Sequence, residues 1–131
     1  MSGPLDIWRQ AAAKWSEVYG QVTDSQWERP TPCEEWTVRQ LVDHTLSWQA
    51  EGGRLIGDLL IHSWDLARSI GADETLPPGV VEATTIGLHH VPPALLRGTN
   101  PLGQKMMAAA IEVPADASPQ NKMLAFTGRR P

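Results

Sequence analysis

The chain has 131 residues, 11 Lys and Arg against 15 Asp and Glu, a formal charge of −4 and 41% apolar residues, which is one domain's worth of chain with enough apolar matter for a core that needs no disulfide or structural metal. The acidic balance and the lack of any Lys/Arg run argue against nucleic acid as a partner, and no stretch reaches the ~18 apolar residues of a membrane span. The start MSGPLDIW lacks a basic segment followed by an apolar one, and the single Cys33 fits a reducing compartment, so the expected location is cytoplasmic.

In chain order, Leu5, Trp8, Ala12, Trp15, Val18 and Val22 recur at three-and-four spacing behind Pro4, which predicts a first amphipathic helix. Thr23 to Trp36 contains Pro30 and Pro32 and no helical period, and reads as a structured loop around Trp27 and Trp36. Thr37 followed by Gln40 is a capping box that starts a second helix to about Trp48. Gln49 to Gly53 is a weak joint. A third helix is expected from about Arg54 to Ile70, closed by Gly71. Its apolar residues Leu55, Ile56, Leu59, Leu60, Ile61, Trp64, Leu66 and Ala67 nearly encircle it, which predicts a central position.

A fourth helix should start near Pro78 and stop before Pro92, followed by a turn of helix around Ala94 to Arg97. Between Gly98 and Pro114 the alternation Ile111, Glu112, Val113 favours a short extended piece. Ser118 as N-cap, Pro119 in the first turn and Gly128 beyond the end bracket a last helix through Met123, Leu124 and Phe126. The reading is all-α, a single domain over residues 1–131.

On the third helix Asp58 and His62 are four apart, so their side chains meet on a face that also carries Leu55, Leu59 and Leu66. A buried carboxylate needs a partner. One reading is a plain Asp–His pair inside the core. The other is a metal site, and His44, one turn after Leu41 and one turn before Trp48, supplies a third inward-facing donor. Two imidazoles and a carboxylate form a set suited to zinc, nickel or ferrous iron with an open position for water or substrate. On the residues alone both readings stand, as does a His44 that merely donates to a backbone carbonyl. Cys33, between Pro32 and Glu34, reads as a buried inert thiol away from this site. His89 and His90 cap the end of the fourth helix. Asp65 and Arg68, three apart, should pair with each other or hold the loop after Gly71, and Met106 and Met107 read as filler.

The runs QWERPTPCEEWTVRQLVDH (Gln26 to His44) and IHSWDLARSIG (Ile61 to Gly71), with the tail VPADASPQNKMLAFTGRRP (Val113 to Pro131), resemble the DinB-like metal-binding proteins of actinobacteria. The branch resembled is the one related to mycothiol-dependent maleylpyruvate isomerase. The resemblance implies a four-helix bundle with one divalent metal held by a His of the second helix and by an acidic residue and a His four apart on the third. Position by position, these are His44, Asp58 and His62. It also implies mycothiol as a thiol cofactor.

The chain departs from that pattern in lacking the long segment between the second and third helices. Two connections fit the short joint. Gly52 and Gly53 turn the chain into an antiparallel hairpin, with His44 and Asp58 level and His62 one turn farther. Otherwise the two helices fuse into one rod, in which His44 and His62 would stand about 27 Å apart and share a metal only across an antiparallel dimer crossing at Gly52. The missing segment should leave apolar surface uncovered, so a homodimer is expected with either connection. Beside a relic whose three polar residues only satisfy one another, two function classes follow. One is a metal-dependent, thiol-using transferase or isomerase acting on a small molecule. The other is a non-catalytic dimeric metal- or ligand-binding accessory protein. With three protein ligands the ion would keep an open position, because Cys33, His89 and His90 are expected to lie out of reach.

Overall fold

Pro4 opens the first helix, α1 (Pro4–Tyr19), where its missing N–H costs no intrahelical hydrogen bond. The computed structural model describes residues 3–33, 35–50, 56–97, 99 and 107–131. α1 is followed by a 3₁₀ turn (Asp24–Gln26), α2 (Val38–Ala50), α3 (Ile56–Ile70), α4 (Pro78–His90), α5 (Pro93–Leu96) and α6 (Pro119–Phe126). The chain forms two compact units, Met1–Val80 and Val81–Pro131, and the division falls within α4.

In the first unit α3 is the central element. Every residue from Leu59 to Ala67 is buried, as the encircling apolar pattern requires, and both α1 and α2 pack on it. α1 buries Ala11, Trp15 and Val18, whereas Leu5 and Trp8, expected on the same stripe, are 59% and 47% exposed. The inward face therefore begins two turns into the helix. Lys14 shares that face, and its ammonium escapes the apolar surroundings by donating to the Asp73 carbonyl at 2.7 Å. α3 ends at Gly71, φ +73°, a left-handed position that glycine occupies without steric cost. There the Ala72 N–H reaches back to the Ala67 carbonyl at 2.9 Å and completes a Schellman cap.

The proline-containing loop is built rather than loose. Thr23 and Gln26 form a capping box on the 3₁₀ turn. The Val38 and Arg39 N–H groups donate to the Arg29 and Trp27 carbonyls, both at 2.9 Å, and tie the loop to the start of α2. The predicted capping box is present there: the Thr37 N–H donates to Gln40 Oε1 at 2.9 Å, and the Gln40 N–H to Thr37 Oγ1 at 3.3 Å.

The expected joint ends in residues 51–55, which with Met106 lie outside the described residues. The direction of α3 relative to α2 is read from the residues the two helices bring together. The His44 and His62 rings are 5.5 Å apart in one chain, and Trp36, just ahead of α2, lies 6.0 Å from His62. His44 clusters with Asp58 and His62, whereas Cys33, earlier in the chain, meets Asp65, later on α3, so the two helices run antiparallel and are not a continuous rod.

In the second unit α4 stops ahead of Pro92, as predicted. His89 and His90 donate from Nδ1 to the Thr85 and Ile86 carbonyls, each at 2.8 Å, which is the helix-end role read from the sequence. α6 starts with the Asn121 N–H donating to Ser118 Oγ at 3.1 Å and buries Met123, Leu124 and Ala125. The Arg97 guanidinium donates to the Ala108 and Phe126 carbonyls and lies over the Phe126 ring, on which His89 stacks at 4.6 Å.

The segment Ile111–Val113, expected as a short extended piece, is neither helix nor strand. Its Ile111 N–H donates to the Ala125 carbonyl at the end of α6, and a helix end offers no ladder on which an alternating segment could pair. Among the described residues there are six α-helices and no sheet, only isolated bridges such as Pro30 with Thr37 and Arg97 with Met107. None of these helices is long and apolar enough to cross a membrane.

Candidate metal centre

The antiparallel hairpin brings His44 of α2 level with the first two turns of α3. One donor atom each of His44, Asp58 and His62 lie within 4.8 Å of one another, so the three residues singled out from the sequence converge inside one chain. His62 Nε2 faces Asp58 Oδ1 at 3.3 Å, the i to i+4 meeting that helical spacing dictates. Trp36 lies against His44 with ring centroids 4.4 Å apart and so walls the site on the α2 side.

His62 is also the junction with a second group, Cys33, His62 and Asp65, whose donor atoms likewise lie within 4.8 Å. Asp65 is fully buried. Its Oδ2 lies 2.9 Å from His62 Nδ1 and accepts the Cys33 thiol at 3.3 Å. Arg68 holds the loop after Gly71, one of the two roles the sequence offered, by gripping Glu74 at 2.7 and 2.9 Å where the helix surface has emerged into solvent. Cys33 is thus not the remote residue expected from its loop. The Thr31 hydroxyl accepts the Cys33 N–H at 3.1 Å and donates to the Trp36 carbonyl at 2.9 Å, folding the Thr31–Trp36 turn so that the thiol faces α3.

The two nitrogens of an imidazole point in divergent directions, so an ion held by Nε2 lies on the side of the ring away from Cys33, which is 4.0 Å from Nδ1. The expectation that Cys33 lies out of reach of the His44–Asp58–His62 set is overturned, because its thiol sits beside His62 on the Nδ1 side of the ring. Asp65 had a usable signal, its i+3 spacing from His62. Cys33 and Trp36 had none, since their place depends on how the loop folds back.

The electrostatics separate the two histidines. Burial, then the charge of His62, push the pKa of His44 down against a smaller upward pull from Asp58, which favours a neutral ring. Burial alone would also lower His62, but hydrogen bonds with Asp58, Asp65 and Cys33 and the charge of Asp58 outweigh it, and its pKa stands well above the ordinary histidine value.

The family model of the mycothiol maleylpyruvate isomerase N-terminal domain matches residues 8–121. The chain belongs to this family. It is a DinB-like helical domain, as the QWERPTPCEEWTVRQLVDH and IHSWDLARSIG runs indicated. No curated protein and no solved structure matches the chain.

A metal ion suits this member of the family on the chemistry of its residues. The Cys33–His62–Asp65 group is satisfied by its own hydrogen bonds, whereas Asp58 Oδ2 is buried with no hydrogen-bond partner. A buried carboxylate oxygen left without a donor costs at least about 1–3 kcal/mol. A cation beside Asp58, His44 and His62 removes that cost and takes two imidazole nitrogens and one carboxylate, a set proper to zinc, nickel or ferrous iron.

Proposed function

We propose that this domain binds one divalent metal ion, zinc in the first place, through His44, Asp58 and His62. The remaining coordination position would hold a small thiol during transfer or isomerisation of a small molecule. The observation that carries the reading is the orphaned Asp58 Oδ2 in a cluster with two imidazoles. The family's description names mycothiol, and a thiol of that class is the ligand proposed here. A metal in this site lowers the pKa of a bound thiol and polarises a carbonyl.

The chain's own residues prepare for that ligand. His44 presents a neutral ring because burial disfavours its cation. The raised pKa of His62 favours its cation, so holding a metal at Nε2 would displace the proton there while Nδ1 keeps its contact with Asp65. Trp36 lies against the His44 ring. Pairing of two copies is proposed as well, supported by the exposure of Leu5 and Trp8 on α1 and Leu46 on α2.

The test replaces the native metal with cobalt and adds millimolar 2-mercaptoethanol, following the thiolate-to-metal charge-transfer band. The wild type should develop the band and release a proton, and His44→Ala should not. A cobalt-loaded wild type without spectral change would reject the thiol-using reading and favour the non-catalytic metal-binding one.

A further inference from the structure

Asp65 has no evident place in the metal set, yet it is the most deeply buried ionisable group beside it. Its side chain is 0% exposed, and a carboxylate in such a place is costly unless its partners are worth the desolvation. The cation nearest in sequence, Arg68, is committed to Glu74. What Asp65 does hold is His62, one turn back on the same helix, with Oδ2 2.9 Å from Nδ1. On the same oxygen it accepts the thiol of Cys33 at 3.3 Å, a residue brought in from 32 positions away by the loop ahead of α2. The far nitrogen of the same ring, Nε2, is the one turned toward Asp58.

A neutral imidazole carries one proton. With Nδ1–H donated to Asp65, the lone pair is on Nε2 and points into the His44–Asp58 cluster; with the proton on Nε2, that nitrogen is unable to ligate. A carboxylate on the far nitrogen also makes the ring a stronger donor. We infer that Asp65, steadied by the Cys33 thiol, is a positioning residue: it fixes the tautomer and orientation of His62 so that Nε2 is its metal-ligating atom. The Cys33–His62–Asp65 group is on this account the support of the metal site and not a second site. The inference rests on the metal reading proposed above and adds to it which nitrogen ligates and why.

Two measurements test it. In zinc-loaded wild-type protein, long-range proton–nitrogen correlation spectra should show His62 protonated at Nδ1 with the zinc-bound shift on Nε2. Zinc on Nδ1 would overturn the inference while leaving the metal reading intact, and failure of the wild type to take up zinc would overturn both. In Asp65→Asn the amide can donate to Nδ1 and stabilise the Nε2–H tautomer, so zinc affinity should fall about 10–100-fold, the usual loss for such a partner. The cobalt d–d spectrum should shift with it. Cys33→Ser retains a hydroxyl donor to Asp65 and should restore near-wild-type affinity, whereas Cys33→Ala should fall between Cys33→Ser and Asp65→Asn. An Asp65→Asn protein that folds and binds zinc with unchanged affinity and cobalt spectrum would refute the assignment. If that variant does not fold, the wild-type nitrogen shifts decide alone.

Discussion

Substituting Asp58 by Asn isolates the carboxylate at the centre of the site with almost no change of shape. In the metal-free protein two effects oppose each other. Asp58 Oδ1 pairs with His62 Nε2 at 3.3 Å, which favours the folded state, while the buried Oδ2 without a donor costs about 1–3 kcal/mol. Asn loses the first and relieves part of the second, so the metal-free variant should stay within about 1 kcal/mol of the wild type. Zinc separates them. At a free concentration 100 times its Kd, a ligand stabilises the folded state by about 2.7 kcal/mol. For a domain of this length that is a rise in Tm of roughly 8–16 °C. If Asn weakens zinc binding by about 10–100-fold, as even loss of an outer partner does, the stabilisation at the same zinc concentration falls to about 0.4–1.4 kcal/mol. Thermal unfolding followed by circular dichroism, with and without zinc, gives all four values. A zinc-induced shift in Asp58→Asn equal to that of the wild type would refute the reasoning.

Further expectations are as direct. Between the lowered pKa of His44 and the raised pKa of His62, metal binding displaces the proton on His62 Nε2, so the zinc Kd should rise about tenfold per unit fall in pH, and calorimetry in buffers of different ionisation enthalpy should count about one proton released. In the metal-free protein the sign reverses: the raised His62 pKa contributes stability that is fully present below the ordinary histidine value and is lost as pH rises through the folded one, which urea titrations across that range should show. Gly128→Ala should cost about 1–3 kcal/mol, because φ is +87° and the new Cβ would stand 2.7 Å from Ala108 Cβ; Gly71→Ala, strained at φ +73° but in open space, should cost less in the same urea assay. Light scattering over a wide dilution range should give about twice the mass of one chain if the copies pair, and a single-chain mass throughout would reject pairing.

What could be read from the sequence was local. The capping box at Thr37 and Gln40, the Ser118 cap, the glycines at the ends of α3 and α6 and the stop before Pro92 all act within a few residues, so their signals survive without knowledge of the tertiary fold. The convergence of His44, Asp58 and His62 was legible because helical spacing places each on an inward face. The elements misread depend on distant partners. Leu5 and Trp8 follow the α1 stripe before that helix reaches its neighbour. Of the two roles open to Asp65 and Arg68, holding the loop after Gly71 falls to Arg68 through Glu74, while Asp65 meets His62 and Cys33, because the helix face at Asp65 is buried and that at Arg68 is not. The Cys33 position follows from the backbone bonds that fold the loop onto α2, which no residue pattern announces.

The central claim is that His44, Asp58 and His62 of one chain hold a metal ion. Elemental analysis of protein purified without an affinity tag tests it most directly, comparing the wild type with His62→Ala. The account predicts about one divalent metal ion per chain in the wild type, whether or not the copies pair, and none in His62→Ala. Full occupancy in His62→Ala, or a wild type that remains metal-free after incubation with excess zinc and removal of unbound ion, would contradict it.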